Sequence, residues 1–204
     1  RLQVLDVGQG LAVLVQTRNH SLLYDTGARW RGSDSGQIVI VPALQANAIR
    51  SLDMLIVSHD DADHSGGIDS VLQVVRAQRI LAPAPGYHGI DQAADCQAGT
   101  EWEWDKVKFR IVHPAHRAAW SDNNASCVLL IVAANQKILL PGDIEAEAEL
   151  EIVKDPELRE VSLVLAPHHG SRTSSTQPFV NSVAAKYVIF SAGYANRWGF
   201  PKPD

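Results

Sequence analysis

Short apolar runs alternate with helical patterns along the whole chain, separated by polar turns. The spacing predicts strands near 2–6, 11–17, 21–25, 54–58, 79–82, 107–112, 127–134, 137–141, 163–167 and 187–191. Helices are predicted near 35–48, 67–76, 144–154 and 177–184. Ser175-Thr176-Gln177-Pro178 reads as a helix start, a hydroxyl cap followed by a proline that the first turn tolerates. Asp143 leads Glu145, Glu147 and Glu149, acidic residues that suit the positive end of a helix dipole. Trp102 and Trp104 alternate with Glu101 and Glu103 along a further strand, a pattern of packing.

One pattern occurs twice. Val13-Leu14-Val15, a turn at Arg18-Asn19-His20 and Leu22-Leu23-Tyr24-Asp25 form a hairpin that ends on an aspartate. Val128 to Val132, a turn at Asn135-Gln136 and Ile138 to Asp143 do the same, and a helix pattern follows each. Two such halves predict an α/β fold, a pseudo-duplicated sandwich of two mixed sheets face to face with helices outside.

With 204 residues, 46% hydrophobic and 20% charged, the chain suits one domain spanning 1–204. No apolar run approaches bilayer length, since the best, Cys127 to Ala134, is only strand length. No signal-peptide pattern opens the chain, and its abrupt end at Pro201-Lys202-Pro203-Asp204 reads as a domain excised from something longer. A net charge of −5 argues against a purely electrostatic DNA-binding module. It argues less against a metal-dependent phosphodiesterase, whose bound cations are the largest local charges. Cys96 and Cys127 lie outside any CxxC pattern, which leaves two buried thiols or one disulfide.

The densest chemistry lies in Ser58-His59-Asp60-Asp61-Ala62-Asp63-His64-Ser65-Gly66-Gly67, directly after the apolar run Met54 to Val57. Imidazoles and carboxylates are ligands of first-row divalent metals, and so many in one turn repel one another without a cation. A charged surface loop is the alternative, but a loop between strand and helix is where function concentrates. Tyr24-Asp25-Thr26-Gly27, Pro141-Gly142-Asp143 and Ala166-Pro167-His168-His169-Gly170-Ser171 also place polar residues at strand ends. Alone, an Asp-Thr-Gly or Gly-Asp sequence is a turn. Four such segments in this order form one candidate cluster.

The order resembles the metallo-β-lactamase superfamily, whose hallmark is a His-x-His-x-Asp-His loop followed by a bridging aspartate and a late histidine. His59, Asp63 and His64 match the hallmark, with Asp61 where most members have the second histidine. Asp25 matches an early strand-end aspartate, Asp143 the bridge and His168-His169 the late histidine. Leu5-Asp6-Val7-Gly8-Gln9-Gly10, Asn123-Asn124-Ala125-Ser126-Cys127-Val128 and Pro167 to Ser171 are similar to the C-terminal domain of the ComEC family of DNA-uptake channels. Two departures stand out. Asn123-Asn124-x-Ser126 occupies the stretch where most superfamily members carry a further histidine, and Gly199-Phe200-Pro201 stands where many ComEC members read Gly-His-Pro.

The resemblance implies a nuclease that degrades one strand of incoming DNA by a two-metal hydroxide mechanism, with Asp63, Asp143 and His168 as catalytic residues. His59 and Asp61 are assigned to one metal, Asp63 and His64 to a second, Asp143 to a bridge and His169 to an extra ligand. His168 faces substrate, although the two histidines can exchange roles. Asp25 supports the loop by hydrogen bonding, and Asn124 and Ser126 line the site or hold a water. Asp61 makes the set richer in hard oxygen donors, which shifts preference from zinc towards manganese or magnesium, with manganese preferred and zinc kept possible by the nitrogen ligands. Arg29, Trp30, Arg31, Arg172, Arg197 and Trp198 are candidate contacts to single-stranded DNA, as arginine grips phosphate and tryptophan stacks on a base.

The family also implies an extracytoplasmic position beside a membrane channel of the same polypeptide, the isolated domain being a monomer. An oxidising compartment favours a Cys96–Cys127 disulfide, for which loop closure gives roughly 3–4 kcal/mol. His20, His88, His113 and His116 read as structural, and His116 is the alternative for the missing middle histidine. Two other functions compete: another metallohydrolase such as a phosphocholine esterase, and a non-catalytic domain with a depleted metal set that guides DNA to a channel.

Overall fold

Alternating apolar positions become two six-stranded sheets in the computed structural model, which describes residues 1–82, 84, 87, 90–115 and 120–203. The chain divides into two units, Arg1–Asp95 and Cys96–Asp204. The predicted ten strands all occur. The short strands at residues 29–30, 33–34 and 93–95 were not predicted, because two or three residues are too few to show a period.

The first unit contains β1 (Leu2–Val4), β2 (Val13–Gln16), β3 (Ser21–Tyr24), β4 (Arg29–Trp30), β5 (Ser33–Asp34), β6 (Ser51–Ile56), β7 (Arg76–Ala82) and β8 (Ala93–Asp95). Its large sheet has the order β1-β2-β3-β6-β7-β8, while β4 and β5 form a separate ribbon. β1, β2 and β3 pair antiparallel, and β3, β6, β7 and β8 pair parallel. Helices α1 (Val41–Ala46), α2 (Ala62–Ser65) and α3 (Ile68–Val74) complete it. Leu14, Leu23 and Leu55 of the sheet cluster with Leu44 of α1 and Ile68 and Val71 of α3, all fully buried. The helix predicted over 35–48 begins instead as a π turn, Gly36–Ile40, in which the Val41 N–H reaches back to Gly36.

The second unit contains β9 (Glu101–Trp104), β10 (Val107–His113), β11 (Val128–Ala133), β12 (Gln136–Leu140), β13 (Leu163–Leu165) and β14 (Tyr187–Ile189), with helices α4 (Ala146–Ile152) and α5 (Gln177–Val183). Its order is β14-β13-β12-β11-β10-β9. β10, β11 and β12 pair antiparallel, and β12, β13 and β14 pair parallel. This repeats the sequence of pairings of β1, β2, β3, β6 and β7, so the duplicated hairpin extends to five strands. Val128, Leu130 and Leu139 pack with Ile144, Ala148 and Ile152 of the α4 segment and Phe179 and Val183 of α5. On β9, Trp102 stacks on Phe109 with ring centroids 5.2 Å apart, and Trp104 meets the same ring edge-on. Cys96 and Cys127 are joined by a disulfide, both side chains fully buried.

As predicted, Thr176 caps α5, its hydroxyl accepting from the Phe179 N–H. Glu149 falls in the first turn of α4, as predicted, and does more there. It is fully buried, and its carboxylate accepts the Ser175 N–H at 2.5 Å and the Thr176 N–H at 2.8 Å, tying α4 to the start of α5. Burial raises its pKa above the ordinary 4.5, against the opposing pull of these hydrogen bonds. A carboxyl whose folded pKa exceeds its unfolded one stabilises the fold fully below the unfolded value and loses that contribution as pH rises through the folded value. Urea unfolding from pH 4.5 upward is therefore expected to show a falling component in the wild type that Glu149→Gln lacks. Identical pH slopes in the two proteins would refute this.

Candidate metal centre

In the first unit, β3 and β6 run side by side with Tyr24 opposite Ile56, so the residues that follow them emerge together. Asp25 adopts a left-handed φ of 61°, and its N–H bonds the Ile56 carbonyl at 2.8 Å. Its carboxylate is fully buried and accepts three hydrogen bonds, from the Ser58 N–H at 2.6 Å, the Ser58 hydroxyl at 2.8 Å and His64 Nδ1 at 2.8 Å. An ionised carboxylate only accepts, so His64 carries its proton on Nδ1 and presents a lone pair at Nε2. The Ser58 hydroxyl, having given its proton to Asp25, accepts from His59 Nδ1 at 3.0 Å. His59 therefore also presents a lone pair at Nε2.

Among the described residues that His59 nitrogen is buried without a hydrogen-bond partner, 3.6 Å from Asp61 Oδ2. The two imidazoles lie with ring centroids 4.3 Å apart, and a ligand nitrogen of each approaches within 4.8 Å of the other. A carboxylate oxygen of Asp63 lies within the same distance of a His64 nitrogen. A buried lone pair such as that of His59 Nε2 costs energy until a cation satisfies it, and with His64 and Asp63 close by the set fits a divalent metal. Asp61 is more exposed. Asp60 turns away, accepting the Tyr87 hydroxyl at 2.6 Å. Tyr87, whose pKa burial and Asp60 both raise, carried no signal in the sequence.

Glycines let the backbone close around this loop. Gly10 has φ 137°, and a Cβ there would overlap the Asp63 carbonyl oxygen, which accepts the Leu11 N–H at 3.1 Å. Gly10→Ala is expected to destabilise the protein by about 1–3 kcal/mol and to weaken metal binding with it. Thermal unfolding and manganese titration check both, and wild-type values for the two would contradict this account.

In the second unit, Asp143 follows Gly142 at the end of β12 and is almost fully buried. Its N–H donates to the Ser126 hydroxyl at 3.1 Å, and the Glu145 N–H donates to Asn124 Oδ1 at 2.8 Å. Ser126 and Asn124 thus act on the backbone that carries Asp143, where the sequence left open lining the site or holding a water. The turn after β13 is unusual. His168 (φ 48°), His169 (φ 56°) and Gly170 (φ 83°) are successively left-handed, and the two histidines carry a cost of about 1–2 kcal/mol each. The Ser174 hydroxyl bonds the Pro167 carbonyl at 2.8 Å, and the Lys202 N–H bonds that of Gly170 at 2.9 Å, which hold the turn.

This turn gives the two histidines different surroundings. His169 is buried, and its Nδ1 donates to the Ser191 carbonyl at 2.7 Å, which directs the Nε2 lone pair to within 3.4 Å of Asp143 Oδ2. His168 is partly exposed. Its Nδ1 lies 3.2 Å from Glu145 Oε1 and 3.1 Å from the Thr173 hydroxyl, and its Nε2 is 4.0 Å from Asp143 Oδ2. Glu145 was read from sequence only as a helix-end acid, although its place two residues after Asp143 was a usable signal. The Phe200 ring lies 5.8 Å from His168 and 6.4 Å from His169, an apolar wall beside both imidazoles.

Of the candidate DNA contacts, Arg29 is engaged within its own unit, bonding the Gly66 carbonyl at 3.1 Å and Asp69 at 2.7 Å. Trp30, Arg31, Arg172, Arg197 and Trp198 are exposed, and the Arg197 guanidinium lies 4.1 Å from the centre of the Trp198 ring. His20 pairs with Asp53 at 3.1 Å. His88 and His116 lie outside the described residues. Among the described residues no helix is long and apolar enough to cross a membrane.

Residues 5–193 match the metallo-beta-lactamase superfamily. The chain is 36% identical over 201 residues to Recombination protein 2 of Haemophilus influenzae, covering 98% of this chain and 25% of that one. It is 39% identical over 200 residues to Competence protein ComA of Neisseria gonorrhoeae, covering 97% and 28%. It thus spans about a quarter of the length of these curated relatives. In fold it is similar to YhfI of Bacillus subtilis, a metallo-beta-lactamase fold protein, with a TM-score of 0.60 at 12% identity over 95% of this chain and 86% of that one. With two mixed sheets and their helices, the chain belongs to the metallo-β-lactamase superfamily, and its named relatives are ComEC-family proteins.

Proposed function

We propose that this domain is a divalent-metal-dependent phosphodiesterase that degrades one strand of DNA during uptake, as part of a longer ComEC-type channel polypeptide. The observation that carries the reading is the buried Nε2 of His59, which has no hydrogen-bond partner among the described residues, beside a second buried imidazole, His64, whose Nδ1 is held by Asp25. In this reading His59 and Asp61 would hold one divalent ion and Asp63 and His64 a second, with Asp143 and His169 as further ligands. Bound divalent ions would lower the pKa of a water and offset charge on the phosphoryl oxygens during an in-line displacement.

The chain's own groups do the rest. Asp25 and Ser58 hold the two ligand histidines in one tautomer, as outer partners of ligands do elsewhere. The Ser191 carbonyl does the same for His169, which favours His169 over His168 as the ligand. His168 is partly exposed, with Nδ1 beside Glu145 Oε1 at 3.2 Å, the Thr173 hydroxyl at 3.1 Å and Asn123 Nδ2 at 3.5 Å, and it keeps Nε2 for proton transfer at the substrate. Trp30 and Trp198 offer exposed faces for stacking bases, with Arg31, Arg172 and Arg197 as phosphate contacts. The oxygen-rich set containing Asp61 favours manganese, and the disulfide fits an extracytoplasmic, oxidising position.

Phe200 supports a second reading, a DNA-guiding domain without catalysis, because an apolar ring stands beside the late histidines. Incubation with end-labelled single- and double-stranded DNA and manganese, beside an Asp63→Ala control, separates the readings. Release of label that requires Asp63 is the expected result. DNA binding without cleavage would favour the guiding role, and cleavage of small esters but not of DNA would favour an esterase.

A further inference from the structure

His113 closes β10 and is fully buried, yet the chemistry proposed above does not use it. Its Nε2 lies 2.7 Å from the backbone oxygen of Asn124. A carbonyl only accepts, so Nε2 carries the proton and Nδ1 the lone pair. Among the described residues Nδ1 is buried without a hydrogen-bond partner, with Glu151 Oε1 3.6 Å away. The Trp120 ring covers another side, edge-on at 4.9 Å. Burial holds the imidazole below its ordinary pKa and thus neutral.

A buried nitrogen left unpaired costs about 1–3 kcal/mol. An aromatic hydrocarbon in the same space would avoid that cost, so the N–H at Nε2 must supply something a phenyl ring cannot. What it holds is the turn Asp122–Ala125 that reaches the late histidines. From this turn the Asn124 side chain accepts the Glu145 N–H at 2.8 Å, and Asn123 Nδ2 lies 3.4 Å from Glu145 Oε1. Glu145 Oε1 in turn lies 3.2 Å from His168 Nδ1.

We propose that His113 is a positioning residue, which sets the tautomer and orientation of His168 through Asn124 and Glu145. What His168 then does for substrate rests on the phosphodiesterase reading; the relay itself does not. With the Asn124 carbonyl held, Glu145 is presented to Nδ1 of His168, whose Nε2 stays on the side of Asp143. Without that hold the turn keeps its local bond from the Ser126 N–H to the Asn123 carbonyl at 3.0 Å but loses its anchor to β10.

The test uses manganese-loaded protein and a small chromogenic phosphodiester, bis(4-nitrophenyl) phosphate. His113→Phe is expected to lower kcat about 10-fold with KM unchanged, the scale of lost outer-shell support. His113→Gln, which restores an N–H near the same carbonyl, is expected to recover most of the loss. Added to His168→Ala, His113→Phe is expected to cause no further fall. Fully additive losses, or a glutamine variant as slow as the phenylalanine one, would overturn the proposal.

The ring nitrogen signals of His168 in metal-free protein read the relay without activity. They are expected to shift in His113→Phe and to return in His113→Gln; signals unchanged in the phenylalanine variant overturn the proposal. Shifted signals in a protein that cleaves no phosphodiester would uphold the relay and overturn the phosphodiesterase reading instead. Should His113→Phe not fold, Asn124→Ala breaks the relay one link later, and unmoved His168 signals there would equally overturn it.

Discussion

Asp143→Ala is expected to abolish tight divalent-metal binding and to slow phosphodiester hydrolysis by more than about 100-fold, beyond what loss of an outer-shell partner costs. The buried carboxylate lies 3.4 Å from the Nε2 lone pair of His169. Two electron-rich groups at that distance are stable together only with a proton or a metal near them. The fold should survive, because the Ser126 hydroxyl holds the Asp143 N–H and not its side chain. Removing a buried carboxylate should even raise the melting temperature of the metal-free protein, since a functional site gives up stability for its chemistry. Manganese titration, hydrolysis rates and thermal melts check the three parts. Wild-type metal affinity in the variant would remove Asp143 from the centre, and activity restored by zinc alone would remove the preference for manganese.

Replacing Cys96 and Cys127 together by serine is expected to lower stability by roughly 3–4 kcal/mol, the loop-closure entropy for a separation of 31 residues. For a chain of this length that corresponds to a fall in Tm of about 10 °C. Both sulfurs are fully buried, so reductant should act only as the protein unfolds and should reproduce the mutant midpoint when present during the melt. The bond also fastens Cys127, the neighbour of the Ser126 that positions Asp143. Manganese affinity should therefore weaken along with stability. A double-serine variant that melts with the wild type would show that packing alone holds this segment.

Much of the fold was legible because its central strands are buried at successive positions and so read as continuous apolar runs. The hairpin repeat was legible for the same reason, and pairing in space extended it to five strands per unit. The loop at residues 58–67 was legible because its histidines and aspartates are adjacent in sequence. What Glu149 does beyond the helix start was not legible, because an acid there looks the same in sequence whether or not, as here, it takes two N–H groups from residues 26 and 27 positions away. The role of Tyr87 was not legible for a similar reason. Its partner, Asp60, is 27 positions distant, and no period links them.

The sequence by itself determined which donor atoms exist and roughly where they stand, since strand ends and glycine turns are local properties. Only the tertiary structure decided which nitrogen of each imidazole is available. That choice depends on the partner of the other nitrogen, and for His64 the partner is Asp25, 39 positions away on a neighbouring strand. It likewise separated His168 from His169, adjacent residues that a left-handed turn sends to Glu145 and to the Ser191 carbonyl. Ligand chemistry is written in residue types, but lone-pair direction is set by hydrogen bonds that exist only after the chain has folded.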